Sequence, residues 1–156
     1  ASYGLKIIKD KTITAGNQLL VYKFLYPHPR VEEAKTISLF ASSMIDLSDG
    51  LYSDLVKIMS ESSVGAEVDV SKLPISALLS DQLSEEAAIN QALLGGDDYE
   101  LCFTLPVDRE MEFLEAHRSL SDSLFTCIGK IREGSDLKLF DGKQDFVISE
   151  KPYNHF

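Results

Sequence analysis

Two short acidic stretches hold the residue types in this chain whose spacing suits chemistry. The first is Met44-Ile45-Asp46-Leu47-Ser48-Asp49-Gly50-Leu51. Side chains alternate between faces along a strand, so Met44, Asp46 and Ser48 share one face while Ile45 and Leu47 share the other. Ile45 and Leu47 can pack inward, which leaves Asp46 and Ser48 side by side at the strand's end and Asp49 at the entry to a helix. Such a turn offers backbone N–H groups at the positive end of a helix, suited to phosphate oxygens. Carboxylates beside them suit magnesium, which takes one or two carboxylates together with substrate phosphates. A simpler account has Ser48 or Asp49 capping the helix that begins near Gly50, with Asp46 an exposed strand residue. The cap accounts for one acidic residue and leaves Asp46 unexplained among apolar neighbours.

The second stretch is Leu93-Leu94-Gly95-Gly96-Asp97-Asp98-Tyr99-Glu100-Leu101-Cys102-Phe103. Gly95-Gly96 permits a backbone turn that residues with a Cβ resist. Asp97 and Asp98 sit at the exit of that turn. In the strand expected next, Tyr99, Leu101 and Phe103 face one side, and Glu100, Cys102 and Thr104 the other. A helix end followed by an acidic, solvated turn accounts for this stretch about as well as a site does. Two acidic clusters in one chain of this size favour a polar site without saying which.

The elements that must position these residues read as follows. Residues 2–9 and 17–26 are expected as short helices, and 31–40 as an amphipathic helix after the proline loop Tyr26-Pro27-His28-Pro29-Arg30. Residues 42–48 read as a strand and 51–59 as a helix with Leu51, Leu55, Ile58 and Met59 on one face; Gly65 closes that region. Residues 66–70 alternate like a strand, 71–84 form a loop with one short helix, and 84–94 form a helix capped by Ser84. A strand over 98–105, a helix over 108–120 and a strand over 124–131 follow. Asp141-Gly142 then joins two strands as a hairpin turn pair. The expected fold is α+β, a mixed or antiparallel sheet packed by helices.

At 156 residues the chain suits one domain with a real core. A net charge of −10 argues against a nucleic-acid or anionic-membrane surface. It does not argue against phosphates reached through divalent ions. No apolar run approaches the length of a membrane span, and no secretory leader is visible. Cys102 and Cys127 fall in strand-like runs and read as reduced, buried thiols of a cytoplasmic protein. His28, His117 and His155 lie too far apart for a metal-ligand spacing. The opening segment from Ala1 is apolar and uncapped, and reads as cut from something longer.

Taken together, Met44–Leu51, the Gly95–Leu101 block and the terminal Tyr153-Asn154-His155-Phe156 resemble the C-terminal domain of the thiamine-monophosphate kinase family. The segment Tyr26–Lys35 is similar to the proline-arginine segment that precedes the first block in that family. The resemblance implies membership of the aminoimidazole ribonucleotide synthetase and selenophosphate synthetase superfamily. It implies phosphoryl transfer from ATP to thiamine monophosphate, with several magnesium ions and ATP as co-substrate. Carried onto this chain, it makes Asp46 and Asp49 magnesium ligands, Ser48 an ATP contact, and Asp97 and Tyr153 substrate contacts.

Two departures stand out: Asp97 replaces the family's usual Glu, one methylene shorter, and the family's N-terminal ATP-binding domain is not in these residues. On this reading residues 1–25 connect to that domain, residues 26–156 form the C-terminal kinase domain, and the whole protein is a homodimer. Another ATP-dependent enzyme of the superfamily, or a binding domain that has lost catalysis, are the alternatives.

Overall fold

The chain begins with three helices, α1 (Ser2–Asp10), α2 (Gln18–Leu25) and α3 (Val31–Ile37), before strand β1 (Ser43–Asp46). Helix α4 (Leu51–Ser62), strand β2 (Gly65–Asp69) and helices α5 (Ala77–Ser80) and α6 (Glu85–Leu94) come next. Strand β3 (Leu101–Thr104), helix α7 (Glu110–Ala116) and strands β4 (Gly129–Arg132), β5 (Leu137–Asp141) and β6 (Gln144–Asp145) complete the order. This computed structural model describes residues 1–118, 125–142 and 144–149.

The strands form two sheets. β1 and β3 make an antiparallel pair, and the second sheet runs β4-β2-β5-β6. Within it β2 is antiparallel to β4 and parallel to β5, while β5 and β6 form the hairpin. The α+β architecture with mixed and antiparallel pairing is as the sequence implied.

The core lies where α4 and α6 cover the second sheet. Leu51, Leu55 and Met59, one turn apart along α4, pack with Ala66 and Val68 of β2, Leu139 of β5, and Ile89 and Leu93 of α6. Burying side chains of this size contributes about 1.5–3 kcal/mol each. A second cluster is aromatic: Phe113 of α7 stacks against Phe40, Phe103, Phe125 and His117. His117 is buried there, with Nδ1 2.8 Å from the Phe113 carbonyl, a packing role rather than a metal one.

Several boundaries differ from the periodicity. α4 runs on to Ser62, because Ser63 takes a left-handed conformation and returns its N–H to the last turn; Gly65 opens β2 instead. β3 starts only at Leu101, since Asp97 (φ 65°) and Tyr99 (φ 52°) are not extended. The helix expected over 108–120 is a 3-10 turn, Val107–Arg109, followed by the shorter α7. β4 begins at Gly129 rather than near residue 124. In the hairpin Asp141 pairs with Gln144, so Asp141 closes its strand and Gly142 (φ 61°) enters the turn. Cys127 is exposed, not buried; Cys102 is half-buried, and both are free thiols. Burial, aided by the nearby Asp54 charge, pushes the Cys102 thiol up to about 11, so it is not a thiolate nucleophile near neutral pH. Among the described residues, no helix is long and apolar enough to cross a membrane.

One ion-pair group ties the N-terminal helices to the second acidic stretch. Glu100 accepts from Lys23 of α2 at 2.5 Å and from Arg30 through Nε at 2.8 Å and Nη2 at 3.2 Å. Burial pushes the Glu100 carboxyl up, but the Arg30 and Lys23 contacts outweigh it and hold it below the usual carboxylate range. A depressed folded-state value means that the stabilisation is present above the unfolded value, about 4.3, and is lost as pH falls through the folded one. Glu100→Gln is therefore expected to lower stability by about 1 kcal/mol at pH 7. Urea melts at pH 7 and pH 3 check this; an equal loss at both would remove the ion pairs as its cause.

Candidate functional site

The β1–β3 pair brings the two acidic stretches into contact. Asp46 lies opposite Leu101 in the register. Beyond the strand ends the backbones stay joined: Leu47 N–H donates to the Glu100 carbonyl (2.8 Å), Tyr99 N–H to Leu47 (2.9 Å) and Asp97 N–H to Ser48 (3.0 Å). The left-handed conformations of Asp97 and Tyr99 cost about 1–2 kcal/mol each for residues with a Cβ. The hydrogen bonds along this seam hold them in place.

Glycine is required on both sides of the seam. A Cβ on Gly96 would lie 2.4 Å from the Ser48 carbonyl oxygen. A Cβ on Gly50, itself at φ 99°, would lie 2.9 Å from the Leu94 carbonyl carbon. Each glycine lets its stretch close on the other.

The entry to α4 is not capped by Ser48 or by Asp49. Its N-cap is Gly50, with no side-chain hydrogen bond. Asp54, from the first turn of α4, reaches back instead. Its Oδ2 accepts the N–H groups of Ser48 and Asp49, each at 3.0 Å, and its side chain is fully buried. This corrects the cap account. It also means that the Ser48 and Asp49 N–H groups are engaged by a carboxylate, and are not the ones offered to a phosphate.

Lys57, one turn further along α4, closes the cluster. Its Nζ lies 2.7 Å from Asp54 Oδ1 and 2.5 Å from Asp49 Oδ2. The hydrogen bonds to Asp49 and Asp54 hold the lysine above its usual range, so it remains an ammonium. Asp46 is exposed at the end of β1, and its carboxylate takes no hydrogen bond or ion pair from any described residue. Asp97 accepts a long hydrogen bond from the Tyr99 hydroxyl, 3.4 Å.

The fold thus collects Asp46, Ser48, Asp49 and Asp97 at one edge of the β1–β3 pair. Tyr153 lies outside the described residues. Among the described residues no group of three or more His, Cys, Asp or Glu side chains is arranged to hold a metal ion. The donors present are hard oxygens, and an ammonium already rests on one of them. Such a half-site fits magnesium, which commonly takes one or two carboxylates and completes its shell with phosphate oxygens and water.

Sequence reasoning missed Asp54 and Lys57. A signal existed: Asp54 falls between Leu51, Leu55 and Ile58, inside the apolar stripe of α4, where a carboxylate needs buried donors. Lys57 stands three residues on, within side-chain reach.

The fold has solved relatives. The solved structure "AaThiL complexed with AMPPCP and TMP" superposes with a TM-score of 0.78 at 30% identity, covering 99% of this chain and 47% of that one. Thiamine-monophosphate kinase from Stenotrophomonas maltophilia superposes with a TM-score of 0.77 at 36% identity, over 87% of this chain and 45% of that one. The fold is that of the C-terminal domain of the aminoimidazole ribonucleotide synthetase superfamily.

By sequence, thiamine-monophosphate kinase of Escherichia coli K12 is 37% identical over 98% of this chain and 48% of its own length. That of Buchnera aphidicola from Acyrthosiphon pisum is 38% identical over 88% of this chain and 42% of its own length. No family model matches the chain. The chain is homologous to the C-terminal part of the thiamine-monophosphate kinases, and it spans about half the length of the curated relatives it matches.

Proposed function

We propose that this chain is the C-terminal half of a kinase that transfers the γ-phosphoryl group of ATP to thiamine monophosphate, giving thiamine diphosphate and ADP. The observation that carries the reading is the seam in which Asp97 N–H meets the Ser48 carbonyl, because it puts the two acidic stretches on one edge of a fold shared with a relative complexed with AMPPCP and TMP. In this reading Asp46 and Asp49 hold magnesium, Ser48 contacts ATP, and Asp97 and Tyr153 contact thiamine monophosphate. An N-terminal half of the same protein, which would bring it to the length of its relatives, supplies the remaining ATP and magnesium ligands. The whole protein works as a cytoplasmic homodimer.

The chemistry asks little covalent work of these residues. The attacking atom is a phosphate oxygen of thiamine monophosphate, already anionic near neutral pH because the second ionisation of a phosphate monoester lies near 6. No general base is needed. Magnesium held there would neutralise charge on the ATP phosphates and fix their geometry. Asp46, exposed at the end of a strand, presents its carboxylate outward. Asp49 is aimed by the backbone grip of Asp54. Ser48, between them, is pinned through both its N–H and its carbonyl, so its hydroxyl starts from a fixed position.

The test is magnesium-dependent formation of thiamine diphosphate from ATP and thiamine monophosphate. It is run on the gene product extended to the length of its relatives and on this chain alone. Turnover is expected in the long form and not in the short one. A folded long form without turnover would exclude thiamine monophosphate as substrate and point to another phosphoryl acceptor.

A further inference from the structure

The corner that would take magnesium carries a cation of its own. Resting on the reading in which Asp49 is a magnesium ligand, we propose that Lys57 is a built-in competitor for that ion: its ammonium occupies Asp49 when metal is absent and yields it, keeping Asp54, when metal binds. The geometry gives the two carboxylates unequal access to solvent. Asp54 is fully buried, and its Oδ2 is tied to two backbone N–H groups, so it cannot turn toward an ion in solvent. The Asp49 side chain is 23% exposed, so solvent and a dissolved ion reach its carboxylate.

Lys57 is the more exposed partner. Its side chain is 49% exposed on a flexible four-carbon stem, and Asp54 Oδ1 is an anchor that it need not leave. A divalent ion on Asp49 with the ammonium still there would place like charges a few ångströms apart. That repulsion weakens ion binding by about three- to tenfold at low salt, less as salt screens it. Lys57 therefore sets how tightly the half-site holds a free ion.

The experiment uses Mn²⁺ as a paramagnetic probe, with free Mn²⁺ followed by electron paramagnetic resonance during titration of the full-length protein. Lys57→Met is expected to bind Mn²⁺ about three- to tenfold more tightly than the unsubstituted protein, with the gain shrinking at high salt. Lys57→Arg, which keeps the charge, is expected to show no such gain. Lys57→Gln retains a hydrogen-bond donor for Asp54 without the charge; it replaces the Met variant if that one unfolds. Unchanged or weaker binding in the charge-removing variants, with Asp46→Asn still weakening binding, would overturn the role of Lys57 and leave the metal reading standing. Unchanged binding in Asp46→Asn would overturn the metal reading itself, and the proposal with it.

Discussion

Asp46→Asn in the full-length protein is expected to lower turnover of thiamine monophosphate on the order of a hundredfold or more, with stability unchanged. The size of the effect follows from what the carboxylate would do. Phosphoryl transfer depends on positioning and charge neutralisation. Losing one group preorganised for developing charge commonly costs about a hundred- to a thousandfold. Asn keeps the shape and removes the charge, so an ion held partly by Asp46 is held more weakly.

The unchanged stability follows from the surroundings of Asp46. It is exposed at the end of β1 and takes no hydrogen bond or ion pair from described residues. Surface changes of this kind stay within about 0.5 kcal/mol. Steady-state assays across a range of magnesium concentrations, with thermal unfolding alongside, make the measurement. Near-normal turnover at limiting magnesium would remove Asp46 from the site.

The second large effect is structural in origin. Asp54→Ala should destabilise the full-length protein by about 3 kcal/mol, because it strands two backbone donors and takes one of the two carboxylates from Lys57. The Ser48 and Asp49 N–H groups and the Lys57 ammonium all lose a fully buried acceptor. For a domain of this size that corresponds to a fall in Tm of roughly 6–12 °C. Asp54→Asn keeps one acceptor oxygen and should lose less. Activity should fall as well, in both variants, because the Asp46–Asp49 loop would no longer be held against α4. Circular dichroism melts of both variants decide it. A Tm within a degree of the unsubstituted protein in Asp54→Ala would mean that the loop is held by the Ser48–Asp97 seam alone.

Local patterns in the sequence carried much of the architecture. The stripe of Leu51, Leu55, Ile58 and Met59 marked α4 and its buried face, and all four are buried. Ser84 before two glutamates marked the start of α6, where its hydroxyl does accept the Ala87 N–H. Asp141-Gly142 marked the hairpin to within one residue. These are near-neighbour properties: helical period, cap chemistry and turn conformation are set by residues within a few positions of each other. The two acidic stretches and their likeness to a kinase family were also legible, since a motif is a local string.

The tertiary structure alone decided how those strings meet. That Asp97 N–H reaches the Ser48 carbonyl, and that β2 lies parallel to β5 while β1 pairs with β3 in a separate sheet, depends on long-range backbone hydrogen bonds. Backbone groups are the same in every residue, so such pairings leave little trace in residue type. Asp54 shows the same limit from the other side. Its place in an apolar stripe was visible, but its partners are main-chain N–H groups of a loop that the sequence presented as the site's own donors. The residues available for chemistry were written in the chain; which of them are held, aimed or already occupied was settled only when the helix, the loop and the strand pair came together.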